Sequence, residues 1–273
     1  MMRRLVIALM FFGVAAQAQS PAAVPQATAP AQAPAGGPGR GQPLPDLTCP
    51  DLAAALRTVA ANDARLRDWP NLSRYREGNR SVKDAAVVFM GDSITDNWQQ
   101  PRFGGFFPGK PYVDRGISGQ TTPQMVLRFR PDVIDLKPKV VVILAGTNDI
   151  AGNTGSTTDE EIEGNLASMS ELAHAHQIKV ILSSITPVSN YHVGANANPQ
   201  TSQRPMERIR AINEWMKKYA ADHGDVYLDY FSAMLDDKGL LRAELSADDL
   251  HPTAAGYAIM GPLAEAAIAR VLR

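Results

Sequence analysis

The chain is short of cysteine, of net charge, of aromatic residues and of long apolar runs, and each shortage removes something. Cys49 is the only cysteine among 273 residues, so no internal disulfide can form. Basic and acidic residues number 27 and 28. With no basic excess and no acidic tail, nucleic acid is not expected as a partner, and electrostatics names no other macromolecule. Beyond the first twenty residues no apolar stretch is long enough to hold the protein in a membrane, so stable insertion is not expected. The α/β-hydrolase elbow G-x-S-x-G does not occur anywhere in the chain, and that fold has no support.

What is present begins with MMRRLVIALMFFGVAAQAQS. Arg3 and Arg4 form a positive start, Leu5 to Ala15 an apolar centre, and Ala16-Gln17-Ala18 a small-residue cleavage site. This pattern predicts a signal peptide over residues 1–18, and hence export to a periplasm or culture fluid. Cys49 lies well past that site, so it is not placed to carry a lipid anchor. Residues 19–45 are nearly all Ala, Pro, Gln and Gly, with seven of the twenty prolines and a single charge, Arg40. Such a segment buries no core and is expected to be a disordered tether with polyproline II character. Residues 46–273 have ordinary globular composition and suffice for one domain.

Within that domain, Asp51 to Leu66 has helical spacing, with Leu52, Leu56, Val59 and Leu66 on one side. A strand-then-helix rhythm follows. Ala86 to Met90, Tyr112-Val113, Val140 to Leu144, Lys179 to Leu182 and Val226 to Leu228 read as five strands, short and rich in β-branched residues. Helical stretches run over Pro123 to Ile134, Thr158 to His176, Pro205 to His223 and Pro252 to Leu272. Thr158 is a predicted N-cap with Glu161 completing its box. Alternation of this kind predicts a three-layer α/β/α fold with a parallel sheet, and places the loops after each strand along one ligand-binding edge.

The chemistry-bearing residues sit in those loops. Gly91-Asp92-Ser93-Ile94 follows the first strand. A serine there is exposed and its own N–H can face an oxyanion, although an N-cap serine is the ordinary reading. Arg115 to Thr122 follows the second strand and carries Gly116 and Gly119 around Ser118. Gly146-Thr147-Asn148-Asp149 follows the third, where an Asn amide can donate to developing negative charge or simply form an Asx-turn. Near the C-terminus, Asp248 stands three residues before His251, close enough to orient the same imidazole. Asp249 is a second candidate carboxylate, next to Leu250 and directed elsewhere. Of the other histidines, His174 and His176 lie two apart on a helix, and His192 and His223 are isolated. None has metal-ligand spacing, and no metal is expected.

Taken in order, the blocks Val88-Phe89-Met90-Gly91-Asp92-Ser93-Ile94-Thr95, Asp114-Arg115-Gly116-Ile117-Ser118-Gly119, Gly146-Thr147-Asn148-Asp149 and Asp248-Asp249-Leu250-His251-Pro252 resemble those of the SGNH hydrolases, also called the GDSL lipase/esterase family. The resemblance covers about Ala85 to the C-terminus. It implies a flavodoxin-like five-stranded parallel sheet, a nucleophile at Ser93, a base at His251 and an orienting acid at Asp248. It further implies an oxyanion hole from the Ser93 N–H, the Gly119 N–H and the Asn148 amide, with no cofactor. Two positions depart from the usual pattern: many members carry Asn at Asp114 and Gly at Asp249.

The expected activity is two-step hydrolysis of a short acyl ester, an acetyl group above all, on a carbohydrate or small molecule. Residues Arg115 to Thr122 and Asn190 to Gln203 are polar enough to line a hydrophilic cleft. The 7% aromatic content and the lack of an apolar lid-like segment also favour short acyl chains. A lysophospholipase or acyl-thioesterase of the same family is the alternative. A non-catalytic carbohydrate-binding module would be favoured by loss of Ser93, Asn148 or His251, and all three are present. Oligomeric state is not legible.

Overall fold

Aliphatic runs too short for helices and buried on both faces make the strands. In a computed structural model describing residues 49–194 and 198–273, these are β1 (Val87–Gly91), β2 (Tyr112–Gly116), β3 (Val140–Leu144), β4 (Lys179–Ser183) and β5 (Val226–Leu228). All pair in parallel in the order β2-β1-β3-β4-β5. The predicted leader and tether lie outside the described residues. β2 runs three residues past the Tyr112-Val113 pair visible in the sequence, because Asp114 and Arg115 are buried there rather than exposed.

Alternate residues of each strand face opposite helical layers. Val88, Met90, Val141, Ile143, Val180 and Leu182 pack under α4 (Thr122–Asp132), α6 (Asp159–Ala175) and α8 (Met206–His223). Val87, Phe89, Val140, Val142 and Ile181 pack under α3 (Ser93–Trp98), α9 (Tyr230–Met234) and α10 (Ala254–Val271). These are the three layers that the alternating pattern predicts. Four further α-helices lie among the described residues: α1 (Cys49–Arg67), α2 (Arg76–Ser81), α5 (Thr147–Ile150) and α7 (Gln200–Gln203). α1 extends two residues before and one residue after the expected Asp51 to Leu66, and Leu52, Leu56, Val59 and Leu66 are all exposed. Among the described residues no helix is long and apolar enough to cross a membrane.

Register then decides where the loops meet. Gly91 stands beside Gly116 on one side and Leu144 on the other, so β1, β2 and β3 end level. The sheet order reverses at β1, and ligands in open α/β sheets bind outside the strand ends at such a switch point. Close packing there depends on Gly116, where a Cβ would fall 2.1 Å from the Asp96 backbone nitrogen of α3.

Candidate active site

Ser93 is the first residue of α3 and is almost wholly buried. Asp92 caps the helix by accepting the Ile94 N–H at 2.9 Å. The Ser93 N–H is one of the first-turn donors that a helix leaves without an intrahelical partner. Ser93 Oγ lies 2.9 Å from His251 Nε2, and His251 Nδ1 lies 2.7 Å from Asp248 Oδ2. Nδ1–H donation to Asp248 leaves Nε2 free to accept the serine proton, which is the tautomer a general base needs. Asp248 also accepts the His251 and Leu250 backbone N–H groups. Partial burial raises its pKa, but the side-chain and backbone hydrogen bonds from His251 outweigh that and hold it well below the usual carboxylate range.

Asp249 does something else. It is buried with φ +67°, and it accepts from Ser189 Oγ, from the Tyr191 and His192 backbone N–H groups at 2.8 Å, and from His192 Nδ1 at 3.1 Å. A left-handed conformation is costly for a residue with a Cβ, and four donors offset the cost. Asp249 therefore fastens the loop after β4 to the loop that carries His251, and His192 is not isolated.

On the other side of Ser93, Gly119 has φ +80° in the loop after β2, and Asn148 is the second residue of α5 after β3. Asn148 Nδ2 donates to the Gln120 carbonyl at 3.0 Å, which leaves its second hydrogen available. Asn153 Nδ2 donates to the Gly119 carbonyl at 3.1 Å. Asp149, buried, accepts the Thr122 N–H and hydroxyl, tying α5 to α4. Arg204 is buried and donates to Thr147 Oγ1 at 3.1 Å, steadying the residue just before Asn148.

Two buried carboxyls close the floor. Burial pushes Asp92 up to about 6, against the Ile94 hydrogen bond and the nearby His251. Burial pushes Asp114 up to about 7, against the hydrogen bond from the Gly116 N–H. Among the described residues no group of three His, Cys, Asp or Glu side chains is placed to hold a metal ion.

The loop expected to line the cleft does so only in part. Arg115 turns inward to Asn79, and Thr121 and Thr122 are fully buried. Ile117 to Gln120 reach a cleft of about 530 Å³, whose opposite wall is Asp68, Trp69, Asn71 and Ser73. Of the described residues, 190–194 and 198–203 are not part of that wall, and Tyr191 hydrogen-bonds Asp236.

Arg128, which the sequence reading missed, organises this end of the sheet. Its side chain is fully buried and donates to the Gly91 carbonyl, the Arg115 carbonyl, Gln120 Oε1 and Asp132. One guanidinium thereby joins the last residue of β1 to the loop carrying Gly119. Arg128→Met should lower unfolding stability by about 3–5 kcal/mol, because it takes the cation paired with the buried Asp132 carboxylate and one donor each from Gln120 Oε1 and the Gly91 and Arg115 carbonyls. Urea unfolding at unchanged slope measures this, and a loss under 1 kcal/mol would contradict it.

Residues 89–259 match the profile of the GDSL-like lipase/acylhydrolase family. A GDSL-like lipase of Bacteroides thetaiotaomicron superposes with a TM-score of 0.67 at 38% identity, covering 74% of this chain and 98% of that one. The platelet-activating factor acetylhydrolase IB subunit alpha2 of Rattus norvegicus is 28% identical over 189 residues, 67% of this chain and 76% of that protein. The acetylxylan esterase of Geobacillus stearothermophilus is 26% identical over 205 residues, 64% of this chain and 89% of that protein. The Bacillus subtilis lipoprotein YqeF is 39% identical over a shorter stretch, 79 residues, which is 28% of this chain and 32% of that protein.

Proposed function

The chain belongs to the GDSL-like lipase/acylhydrolase family and is a carboxylic ester hydrolase; from that premise we propose that it removes short acyl groups, acetyl above all, from a carbohydrate or small ester outside the cytoplasm. The observation that carries the catalytic part is the unbroken chain from Asp248 Oδ2 through His251 to Ser93 Oγ, at 2.7 and 2.9 Å. In this reading His251 Nε2 takes the Ser93 proton as Oγ attacks the ester carbonyl. The oxyanion forms among the Ser93 N–H, the Gly119 N–H and the Asn148 amide. The alcohol leaves with the proton from His251, and a water molecule, deprotonated by the same nitrogen, releases the acid and frees Ser93.

Export is supported by the leader-like start of the sequence and by the lipoprotein relative. The acyl preference rests on two relatives named for acetyl chemistry and on the polar lining of the cleft beside Gly119. An apolar groove would gain about 0.8 kcal/mol for each CH₂ it buries, so kcat/KM would climb with chain length. The expected result with p-nitrophenyl esters is the reverse: acetate and butyrate well ahead of octanoate and longer. A steady rise out to decanoate would overturn the short-acyl reading and favour a lysophospholipase or thioesterase.

A further inference from the structure

The wall of the cleft that faces Gly119 comes from residues 68–73, which precede the family-matched region at residue 89. This loop is firmly built. Asp68 accepts the Leu72 and Ser73 N–H groups at 2.7 and 2.8 Å, and Asn71 takes a left-handed φ of +55°. The loop is also fastened to the oxyanion side of the site. Gln120 Nε2 donates to the Pro70 carbonyl at 2.7 Å, and Gln124 Nε2 to the Trp69 carbonyl at 2.6 Å. Gln120 is the residue whose own carbonyl accepts from Asn148. A single residue, Gln120, therefore links the Asn148 turn through its carbonyl to the outer wall through its side chain.

Trp69 is 38% exposed, and the cleft takes its surface. Asn71, Ser73, Asn153 and Thr154 surround it with amide and hydroxyl groups. An aromatic side chain bordered by amides, hydroxyls and the Asp68 carboxylate suits a ligand with one apolar face and a hydroxylated rim. A pyranose ring has that form, and an acyl tail does not. The cleft also takes Gly119, whose N–H stands in the proposed oxyanion hole, so it borders the place where the ester carbonyl would be held.

We propose that Trp69, with Asn71, Ser73, Asn153 and Thr154, forms a subsite for a sugar ring in the alcohol part of the substrate. This rests on the acyl-transfer reading above and adds the class of alcohol. Trp69→Ala should lower kcat/KM for acetylated xylotetraose on the order of tenfold or more, chiefly through KM, as loss of uniform binding does. Turnover of ethyl acetate, whose alcohol has no ring to lie on Trp69, should stay within about twofold. Trp69→Phe should recover most of the loss. Equal losses on both substrates would make Trp69 a structural residue, and no loss on either would remove the subsite.

A binding measurement separates the subsite from the chemistry. Unacetylated xylotetraose, titrated calorimetrically into Ser93→Ala protein, should bind, and the Trp69→Ala double variant should bind it on the order of tenfold more weakly. Equal binding by the two proteins would overturn the subsite even where Ser93 proves to be the nucleophile. Retained ester hydrolysis by Ser93→Ala would overturn the acyl-transfer reading even where the sugar binds.

Discussion

Ser93→Ala is expected to lower kcat on the order of 10⁶, and His251→Ala by a comparable factor. The two act as one unit: without Oγ there is no nucleophile, and without Nε2 the hydroxyl keeps its proton at neutral pH. The N–H groups of Ser93 and Gly119 and the Asn148 amide survive either change, so a residue of rate above the uncatalysed reaction should remain. Steady-state hydrolysis of p-nitrophenyl acetate gives the factor, and a melting temperature close to wild type shows that the fold is intact. Turnover above a tenth of wild type in Ser93→Ala would remove Ser93 from the mechanism.

The adjacent carboxylates should separate just as clearly. Asp248→Asn is expected to cost on the order of 10⁴ in kcat, because an amide at that position favours the wrong imidazole tautomer and no longer stabilises the imidazolium. Asp249→Asn should instead lower the melting temperature while leaving kcat within about tenfold, since its four donors belong to Ser189, Tyr191 and His192 rather than to His251. A larger kcat loss from Asp249 than from Asp248 would reverse the assignment. The sign of the pH effect follows from the depressed Asp248 pKa. A carboxylate whose pKa is lower folded than unfolded contributes stability that is present above the unfolded value and is lost as pH falls towards the folded one.

The sheet was legible in the sequence because its strands are apolar on both faces. Val140 to Leu144 was placed to the residue, and the four long helices fell within two residues of their predicted ends. β2 was half seen, since Asp114 and Arg115 read as surface residues until packing shows them buried. The turns α3, α5 and α7 are four to six residues long, shorter than hydrophobic periodicity can register.

At the site, the side chains that the structure brings together, Ser93, His251 and Asp248, could be named from short motifs, because each motif is local. The groups that join loops to one another could not. Arg128 reaches acceptors 13 and 37 positions away, and Gln120 reaches Pro70 across 50. A charged residue on a helix ordinarily reads as solvated, and nothing local in Trp69 or Asn71 points to Gly119.

The reach of the triad along the chain has a consequence in time. Ser93 and His251 are 158 residues apart. At about 5–20 residues per second, the ribosome delivers the serine some 8 to 30 s before the imidazole. Through that interval the growing chain holds the proposed nucleophile and oxyanion donors without the proposed base. The closing segment, residues 248 to 251, arrives with α10 immediately behind it, and α10 packs against α3 through Tyr257, whose ring stacks on Trp98 at 4.8 Å and whose hydroxyl donates to the Ile94 carbonyl at 2.7 Å. On the proposed mechanism, a chain that stops anywhere before His251 should therefore show no hydrolysis of p-nitrophenyl acetate.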